Sequence, residues 1–437
     1  MLKVLKFGGS SLASAEQFRK VRDIIKSEPE RRYVVASAPG KRFSDDIKVT
    51  DLLYQCFRLA GEKKSIDETF EQVADRYRGI ISELGIDFSL EEEFHTIKTA
   101  IMNRVGSDYI ASRGEYLNSM ILANYLGYDF IDAETGIFFF EDGSFDAERT
   151  NAVLSKLLKD HEYAVIPGFY GSMPNGTIRT FSRGGSDITG SIVARAVRAD
   201  IYENWTDVSG MLMADPRHVK NPKTIEFITY KELRELSYMG ATVMHEDAIF
   251  PVRKANIPIN IRNTNAPADK GTMIVPKLDA SMPDTIVTGI AGKVGFSSII
   301  IEKDMMNSEL GFGRKVLGVL EKHKISFEHL PSGIDAISII VNSAAIEGIE
   351  EEIQAEITKE VHPDILSIEH GLALIAVVGH GMVKSAGTAG RVFNAAARSQ
   401  INIRMIDQGS GEMNIIFGVD EKDYVTALQA IYAEFAK

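Results

Sequence analysis

The chain of 437 residues is long enough for about three domains of ordinary size, each with its own hydrophobic core. Hydrophobic residues make up 44% and charged residues 25% of it, as in ordinary soluble globular proteins. The net charge of −12 argues against nucleic acid or an anionic membrane as a partner, because both need a broad basic surface.

Strands and helices alternate from residue 1 to about residue 280. In chain order we predict strands at 2–7, 33–37, 164–166, 200–205 and 257–261, and helices at 15–26 and 188–198. Continuous apolar strands that alternate with helices predict an α/β domain of three αβα layers around a mostly parallel sheet. Ligands of such sheets bind beyond the carboxyl ends of the strands.

Nothing in the sequence indicates export or membrane insertion. The predicted strand at residue 2 leaves no room for a cleaved leader, and no apolar run approaches the ~18 residues that cross a bilayer. We therefore expect a cytoplasmic protein. Cys56 stands alone, and the nine histidines show no zinc-ligand spacing, so we expect neither an internal disulfide nor a protein-ligated metal.

Two glycine-rich segments lie where this fold would place a ligand. Lys6-Phe7-Gly8-Gly9-Ser10-Ser11 follows the first strand, and Ser182-Arg183-Gly184-Gly185-Ser186-Asp187 precedes a predicted helix. Glycine lets backbone N–H groups close around phosphate oxygens, and each segment adds one cation. Together the two segments predict a phosphoryl-transfer enzyme, although either one alone is more often a plain tight turn.

The two commonest nucleotide-binding patterns are absent. Gly171 and Gly176 have the spacing of a Walker loop, but Thr177 stands in place of its lysine. Gly311 and Gly313 are followed by Val316 where a dinucleotide fingerprint has its third glycine. A different kinase architecture is therefore expected.

An internal repeat follows a proline-containing linker. Residues match at a constant offset of 76 positions: Gly311, Val316, Ile325, Gly333, Ile337, Ile339 and Ile340 correspond to Gly387, Val392, Ile401, Gly409, Met413, Ile415 and Ile416. The repeat predicts two ferredoxin-like βαββαβ modules. Because the chain ends on the predicted helix 423–435, the last strand of the second module must come from 286–290. We therefore predict three domains: 1–280, 294–369, and 285–293 with 370–437, the first module being inserted in the second.

Six motifs resemble aspartokinase in their order and spacing. They are KFGGSS at 6–11, SRGE at 112–115, SRGGSD at 182–187, WTDVSG at 205–210, ADPR at 214–217 and GATVMH at 240–245. The resemblance is to the monofunctional form and implies the amino-acid-kinase fold followed by two ACT regulatory modules. It also implies transfer of the γ-phosphoryl of ATP to the side-chain carboxylate of L-aspartate, giving 4-phospho-L-aspartate, the first step of lysine, threonine and methionine biosynthesis.

The resemblance implies roles for residues in both glycine-rich segments. Lys6 would stabilise the transferring phosphoryl group, with Gly8, Gly9 and Ser10 as donors around it. Asp187 would organise Lys6, besides acting in the first turn of its helix. An aspartate carboxylate is ionised at neutral pH and needs no general base, so catalysis must come from positioning and charge neutralisation.

Substrate residues follow from the same resemblance. Arg183 would bind the α-carboxylate of aspartate with two hydrogen bonds. Glu115 would accept from the α-ammonium group, and Thr50 would donate to or accept from the substrate. From the residues alone, Glu115 is more often a solvated position on a helix.

Nucleotide residues are also implied by the resemblance. Thr206, Asp207, Leu212 and Arg217 would line the ATP pocket, with Mg²⁺ carried mainly by ATP oxygens and water. The family often has a lysine at the position of Thr242. We therefore expect weaker or rearranged ATP binding there, which a Thr242→Lys variant would test through its apparent ATP affinity.

ACT modules are expected to associate side by side and to bind an amino acid, although mere dimerisation remains the alternative. The expected effector residues are Met306, Ser308, Gly311, Phe312, Gly313 and Glu328. Amides at the start of the helix would hold the effector carboxylate. Glu328 corresponds to Arg404 in the repeat, and an acidic residue in one copy favours lysine first and threonine second as the effector.

Other functions remain open from the sequence. Glutamate, carbamate, acetylglutamate and uridylate kinases share the fold, but the ACT pair and the SRGGSD context disfavour them. A non-catalytic amino-acid sensor is the alternative from another class. Such a sensor would tolerate the loss of Lys6 and Asp187, and both residues are present.

Overall fold

The computed structural model describes residues 1–182, 184–241, 244, 246–279, 282, 285–409 and 411–436. The chain forms two compact units. The first comprises Met1–Met211, Thr224–Tyr230 and Val243–Met282, and the second comprises Leu212–Lys223, Lys231–Thr242 and Pro283–Lys437. Each unit is described by itself below.

The first unit contains ten strands and eight helices within the described residues. Its strands are β1 Lys3–Phe7, β2 Arg31–Ala36, β3 Asp129–Phe130, β4 Ala164–Pro167, β5 Tyr170–Ser172, β6 Ile178–Thr180, β7 Ile201–Thr206, β8 Phe227–Thr229, β9 Ile259–Asn263 and β10 Thr272–Val275. Its helices are α1 Ala15–Lys26, α2 Val49–Gly61, α3 Asp67–Leu84, α4 Glu91–Met102, α5 Ser107–Leu126, α6 Ala147–Leu157, α7 Gly185–Ala196 and α9 Glu246–Lys254, with α8 Tyr230–Tyr238 starting at its boundary.

Eight of these strands form one sheet in the order β3-β4-β2-β1-β7-β9-β10-β8. All neighbours are parallel except β9 and β10, which are antiparallel, and β5 and β6 form a separate hairpin. The mostly parallel sheet confirms the predicted α/β class. Helix crossovers return the chain to the same edge after each parallel strand, so the loops after the strands gather there.

Apolar periodicity explains why the central elements form where they do. In α1, Ser14 caps the helix by accepting from the Gln17 N–H, and the residues buried on its inner face include Phe18 and Val21. The helix has the bounds predicted from the sequence. The strands β1, β2, β4 and β7 lie within two residues of their predicted bounds, and β1, at the centre of the sheet, buries Val4 through Phe7 completely or almost so.

The second unit contains six strands and six helices within its described residues, apart from short 3-10 turns. They are α8 from residue 231, β11 Gly289–Glu302, α10 Phe312–Lys322, β12 Phe327–His329, β13 Ala336–Asn342, α11 Ser343–Ile346, α12 Glu350–Val361, β14 Ile365–Val378, α13 Thr388–Arg398, β15 Met405–Asp407, β16 Asn414–Asp420 and α14 Tyr424–Phe435. The six strands form one antiparallel sheet in the order β12-β13-β11-β14-β16-β15.

Two long strands of this sheet serve both repeats. Residues 296–302 of β11 pair with β13 and with 365–372 of β14, whereas residues 289–293 pair with 374–378. The predicted strand at 286–290 therefore begins later, at Gly289, and continues to Glu302. Gly295, at φ 90°, lies in the irregular stretch between the two halves, next to the predicted module boundary at 293/294. The three-domain division, with one module inserted in the other, stays a prediction.

Within the described residues, no helix combines the length and apolar character needed to cross a membrane.

Candidate active site

Three loops of the first unit meet beyond the carboxyl ends of their strands. After β1 the chain forms a 3-10 turn, Gly9–Leu12, and the Gly9 carbonyl accepts from the Gly40 N–H at 2.8 Å in the loop after β2. The Ser11 hydroxyl lies 2.7 Å from the Thr264 hydroxyl, just after β9. The predicted phosphate loop is therefore held by the loops after β2 and β9, at the edge where ligands of parallel sheets usually bind.

The glycines of the first segment allow a close approach of backbones. The Gly8 N–H donates to the Trp205 carbonyl at 3.0 Å, which joins the loop to β7. A Cβ atom on Gly9 would stand 2.9 Å from the Ala38 carbonyl oxygen, so no larger residue fits without movement of the backbone. Ser10 is half-buried in the turn that follows.

Lys6 and Asp187 form the ion pair at the centre of this edge. The Lys6 ammonium lies 2.6 Å from Asp187 Oδ1, and the side chains are 9% and 20% exposed. A Cβ atom on Gly8 would stand 3.6 Å from the Lys6 ammonium, so the glycine keeps the space beside this cation open. The structure brings together the two residues predicted to be catalytic.

The second glycine-rich segment begins α7. Gly184 adopts φ 58° at the N-cap, a left-handed conformation that glycine tolerates, and the helix starts at Gly185. A Cβ atom on Gly185 would stand 2.5 Å from the Phe169 ring, so this glycine lets the helix pack closely. Asp187 therefore occupies the first helical turn, where a carboxylate favours the helix dipole. The predicted substrate ligand Arg183 lies outside the described residues.

Glu115 and Thr50 come from neighbouring helices of the first unit. Glu115 on α5 is 6% exposed, and burial raises its pKa to about 8 against the opposing effect of the Ala38 backbone N–H. Its Oε2 atom has no hydrogen-bond partner among the described residues. Thr50, near the start of α2, has its hydroxyl 3.6 Å from where a Cβ atom on Gly114 would stand. The two predicted substrate residues thus lie on helices that pack against each other.

The predicted nucleotide residues divide between the units. Thr206 ends β7, and its hydroxyl donates to Asp207, which is exposed at the same sheet edge. Leu212 and Arg217 belong to the second unit, where Arg217 is exposed and pairs with Asp215 at 2.5 Å. Their shared role in binding nucleotide stays a prediction. The proposed departure at Thr242 lies outside the described residues.

The sequence analysis did not identify two residues that contact the candidate site. Asn204 donates to Asp187 Oδ1 at 2.9 Å, and Arg76 donates to the Gly40 carbonyl at 3.0 Å while pairing with Asp46 at 2.7 Å. Arg76 is held in α3, far along the chain, and no local motif marks it. The alternation of β7 would have placed Asn204 on one face, but not beside Lys6, because strand register is not readable from one sequence.

The predicted effector segment lies in the second unit. It runs from the 3-10 turn Met306–Ser308 to the start of α10, where Gly311 is the N-cap with φ 80° and no side chain caps the helix. Phe312 is buried, and Gly313 follows it in the first turn. The repeat-related Gly387 is the N-cap of α13 with φ 86°, so both copies present an open helix start.

Glu328 lies on the edge strand β12 and already has a partner. Its carboxylate accepts from the Tyr238 hydroxyl, and burial together with this hydrogen bond raises the pKa of Tyr238 to about 12. The repeat-related Arg404 pairs with Glu369 and, at 2.7 Å, with Asp420. The two copies therefore differ in charge as the sequence indicated, but Glu328 would have to share or leave Tyr238 to bind an effector.

Two family models match the chain. The model of the amino acid kinase family matches residues 1–263, which hold the eight-stranded sheet except β10. A model of the ACT domain matches residues 375–435, which hold α13, β15, β16 and α14. These two matches fall on the predicted kinase domain and on the second predicted module.

Relatives match over nearly the whole chain. Aspartokinase 3 of Bacillus subtilis is 41% identical over 449 residues, which cover 99% of this chain and 98% of the relative. The chloroplastic Aspartokinase 1 of Arabidopsis thaliana is 29% identical over 99% of this chain and 80% of its own length. The likeness therefore extends through both units.

Solved structures show the same architecture. The crystal structure of aspartate kinase from Clostridium acetobutylicum has a TM-score of 0.92 and 51% identity, covering 99% of this chain and all of the other. Aspartokinase III of E. coli, solved with aspartate and ADP, has a TM-score of 0.74 and 23% identity over the full length of both chains. At the latter identity the likeness supports the shared fold.

Proposed function

The chain belongs to the aspartokinase family of amino acid kinases, and we infer from this that it is an ATP-dependent kinase that acts on aspartate. The product would be 4-phospho-L-aspartate, formed when a side-chain carboxylate oxygen attacks the γ-phosphorus and ADP leaves. The observation that carries this proposal is the Lys6–Asp187 pair beside the Gly8-Gly9 loop at the carboxyl edge of the sheet.

The arrangement suits a reaction between two anions. Lys6 would neutralise charge on the transferring phosphoryl group, and Asp187 would hold the ammonium in place. The amides of Gly8, Gly9 and Ser10 would donate to phosphate oxygens, since no Cβ of the glycines blocks the approach. ATP would enter as its Mg²⁺ complex, with the ion carried mainly by phosphate oxygens and water.

Aspartate would be selected by its two α-substituents. Glu115 offers a buried carboxyl group with one oxygen that lacks a partner among the described residues, which suits an ammonium group with three donors. Arg183 would bind the α-carboxylate, and Thr50 would hydrogen-bond the substrate. Thr206, Asp207, Leu212 and Arg217 would contact the nucleotide.

Formation of acyl hydroxamate from L-aspartate, MgATP and hydroxylamine tests the proposal. We expect product from the wild-type chain and a loss of roughly 100-fold or more in Lys6→Met, because a fixed charge in the site is lost. Lys159→Met, at an exposed position, is the matched control and should retain full activity.

The alternatives predict other results in the same assay. If the chain is another amino-acid kinase, product forms from a different acid and not from aspartate. If it is a non-catalytic amino-acid sensor, no acid gives product although the folded protein binds an amino acid. Either outcome would overturn the proposed activity.

Regulation by lysine is the second part of the proposal. The open start of α10 would bind the effector carboxylate, and Glu328 would attract its side-chain ammonium in exchange for Tyr238. Threonine is the second choice of effector. Self-association through the ACT modules would accompany this, since β12 and β15 are the end strands of the described sheet.

Inhibition assays with Glu328→Gln test the regulatory proposal. Lysine should suppress hydroxamate formation by the wild-type chain, and the variant should need at least several-fold more lysine. Glu321→Gln, a neighbouring exposed glutamate on α10, is the matched control. Unchanged lysine inhibition in Glu328→Gln would remove this residue from the effector site. A monomer in light scattering at micromolar concentration would contradict self-association.

A further inference from the structure

Asn204 stands beside the ion pair at the centre of the sheet edge. Its side-chain N–H donates to Asp187 Oδ1 at 2.9 Å, the same oxygen that lies 2.6 Å from the Lys6 ammonium. We propose that Asn204 is a positioning residue for phosphoryl transfer, which fixes the Asp187 carboxylate so that Lys6 keeps its place. The inference rests on the proposed function in assigning a catalytic role to Lys6 and Asp187.

Strand register explains why these side chains meet. Lys6 and Asn204 are paired positions on the parallel strands β1 and β7. Side chains alternate along a strand, so both leave the sheet on one face. Tyr202, two residues earlier on β7, confirms which face this is, because its hydroxyl donates to the backbone carbonyl of Asp187 at 3.2 Å.

The side chains on either side of Asn204 point to the opposite face of the sheet. Glu203 accepts from Arg31 at 3.0 Å and from the Trp205 indole N–H at 2.9 Å, and the Trp205 ring stacks on Phe7. These contacts fix β7 against its neighbours through side chains that never touch Asp187. Asn204 is therefore the β7 side chain through which this anchored strand holds the carboxylate.

The environment makes this hydrogen bond worth more than a surface contact. Asn204 is 5% exposed, and asparagine is disfavoured in strands and costly to bury without a partner. With a fixed N–H on Oδ1, the carboxylate cannot rotate freely about its side-chain bonds. Without it, the carboxylate would follow the Lys6 ammonium, and the cation would lose its defined place beside Gly8.

Two substitutions separate hydrogen bonding from shape. Asn204→Leu removes the donor, and Asn204→Asp keeps the shape but puts an acceptor in its place. We expect kcat to fall about 10- to 100-fold in both, as for the loss of a charge-assisted hydrogen bond, with KM for aspartate and ATP little changed. A merely structural role would instead lower the melting temperature and raise both KM values.

A double substitution tests whether the residue acts through Asp187. In an Asp187→Asn background, adding Asn204→Leu should change kcat by less than about twofold, because the group that it positions has already been altered. The proposal would be overturned if Asn204→Leu lowered kcat as much in the Asp187→Asn background as it does alone. An unchanged kcat in the single variant Asn204→Leu would also overturn it.

A chemical readout keeps the inference separate from the proposed function. Acetic anhydride labelling of the substrate-free protein, followed by mass spectrometry, measures how firmly Lys6 is held. Labelling of Lys6 should rise several-fold in Asn204→Leu, while labelling of Lys159 stays unchanged. Equal Lys6 labelling in the wild type and in Asn204→Leu would overturn the positioning role. If the wild type makes no product but Lys6 labelling still rises in Asn204→Leu, the proposed activity is refuted and the positioning role is kept.

Discussion

Glu115 is a carboxyl group that the fold has removed from water. It is 6% exposed on α5, and burial raises its pKa to about 8. In the substrate-free chain at pH 7 it therefore carries a proton for most of the time. A bound ammonium group favours the ionised carboxylate, so the predicted role of Glu115 requires that this proton leave when aspartate binds.

Calorimetry should detect that proton. Titration of aspartate at pH 7 in buffers of different ionisation enthalpy is expected to show release of up to about one proton per site. Glu115→Gln should bind aspartate more weakly and release none through this group. Proton uptake, or a release that persists in Glu115→Gln, would contradict the assignment.

The same carboxyl group should make stability depend on pH. Its folded pKa of about 8 exceeds the ordinary value of 4.5, so between these values the folded chain keeps a proton that the unfolded chain has lost. Its contribution to stability is therefore full below pH 4.5 and is lost as the pH rises to 8, at up to about 1.4 kcal/mol per pH unit.

Glu115→Gln cannot titrate at this position. From pH 5.5 to 7.5, its substrate-free stability should therefore gain roughly 2–3 kcal/mol relative to the wild type, because the other groups titrate alike in both proteins. Urea or thermal unfolding at the two pH values measures this difference. A constant difference between the two proteins would show that Glu115 is ionised in the folded chain.

The loops after β1 and β2 pack directly against each other. A Cβ atom on Gly40 would stand 2.6 Å from the Gly9 carbonyl carbon, so these two loops touch backbone to backbone. Arg76 holds the Gly40 carbonyl from behind. The predicted phosphate loop therefore takes its shape partly from a loop about 30 residues further along the chain.

Gly40→Ala should separate the two loops. We expect a loss of about 1–3 kcal/mol of stability and a raised KM for ATP, because the Gly9–Leu12 turn must shift. Gly79→Ala in α3 is the control, since nothing lies within 4 Å of its Cβ position and alanine favours helix. Equal behaviour of the two variants in unfolding and kinetics would show that the loop contact is unimportant.

Helices and strands with regularly spaced apolar residues could be predicted from the sequence. The contacts between these elements could not. The pattern of α1 gave its bounds, and both glycine-rich segments fell at the predicted sheet edge. The meeting of Lys6 with Asn204 depends on register between strands about 200 residues apart, which no local pattern encodes. Helix α7 starts at Gly185, three residues before the predicted start. The helix can begin earlier because Gly184 adopts a left-handed conformation at its N-cap.

At the scale of the molecule, the sequence showed the internal repeat. It showed only in part that the strands β11 and β14 are shared by the two repeats. The irregular stretch at Gly295 divides β11 into a half for each repeat, and β14 mirrors it. His329 on β12 also lies 2.6 Å from Asp407 on β15, which ties the two outer strands together. Perturbation of one repeat should therefore reach the other.

Hydrogen exchange tests this coupling. Ile339→Ala in β13 removes a fully buried side chain of the first repeat and should cost about 2–5 kcal/mol. Amide protection should fall at 296–302 and also at 289–293, because both halves of β11 belong to one strand. Leu154→Ala, a buried residue of the first unit, is the control. Loss of protection confined to 296–302 would mean that the repeats open independently.

The long antiparallel pair of β11 and β14 has a topological consequence. Lys293 and Leu374 face each other across these strands, and everything in the first repeat lies between them in the chain. Cutting out 296–371 would leave two ends that a hairpin turn can rejoin, with the strand order of the second repeat preserved. One deletion or insertion at a single turn is therefore enough for evolution, or an engineer, to remove or exchange the half that is predicted to bind the effector, while the strand order of the remaining sheet is kept.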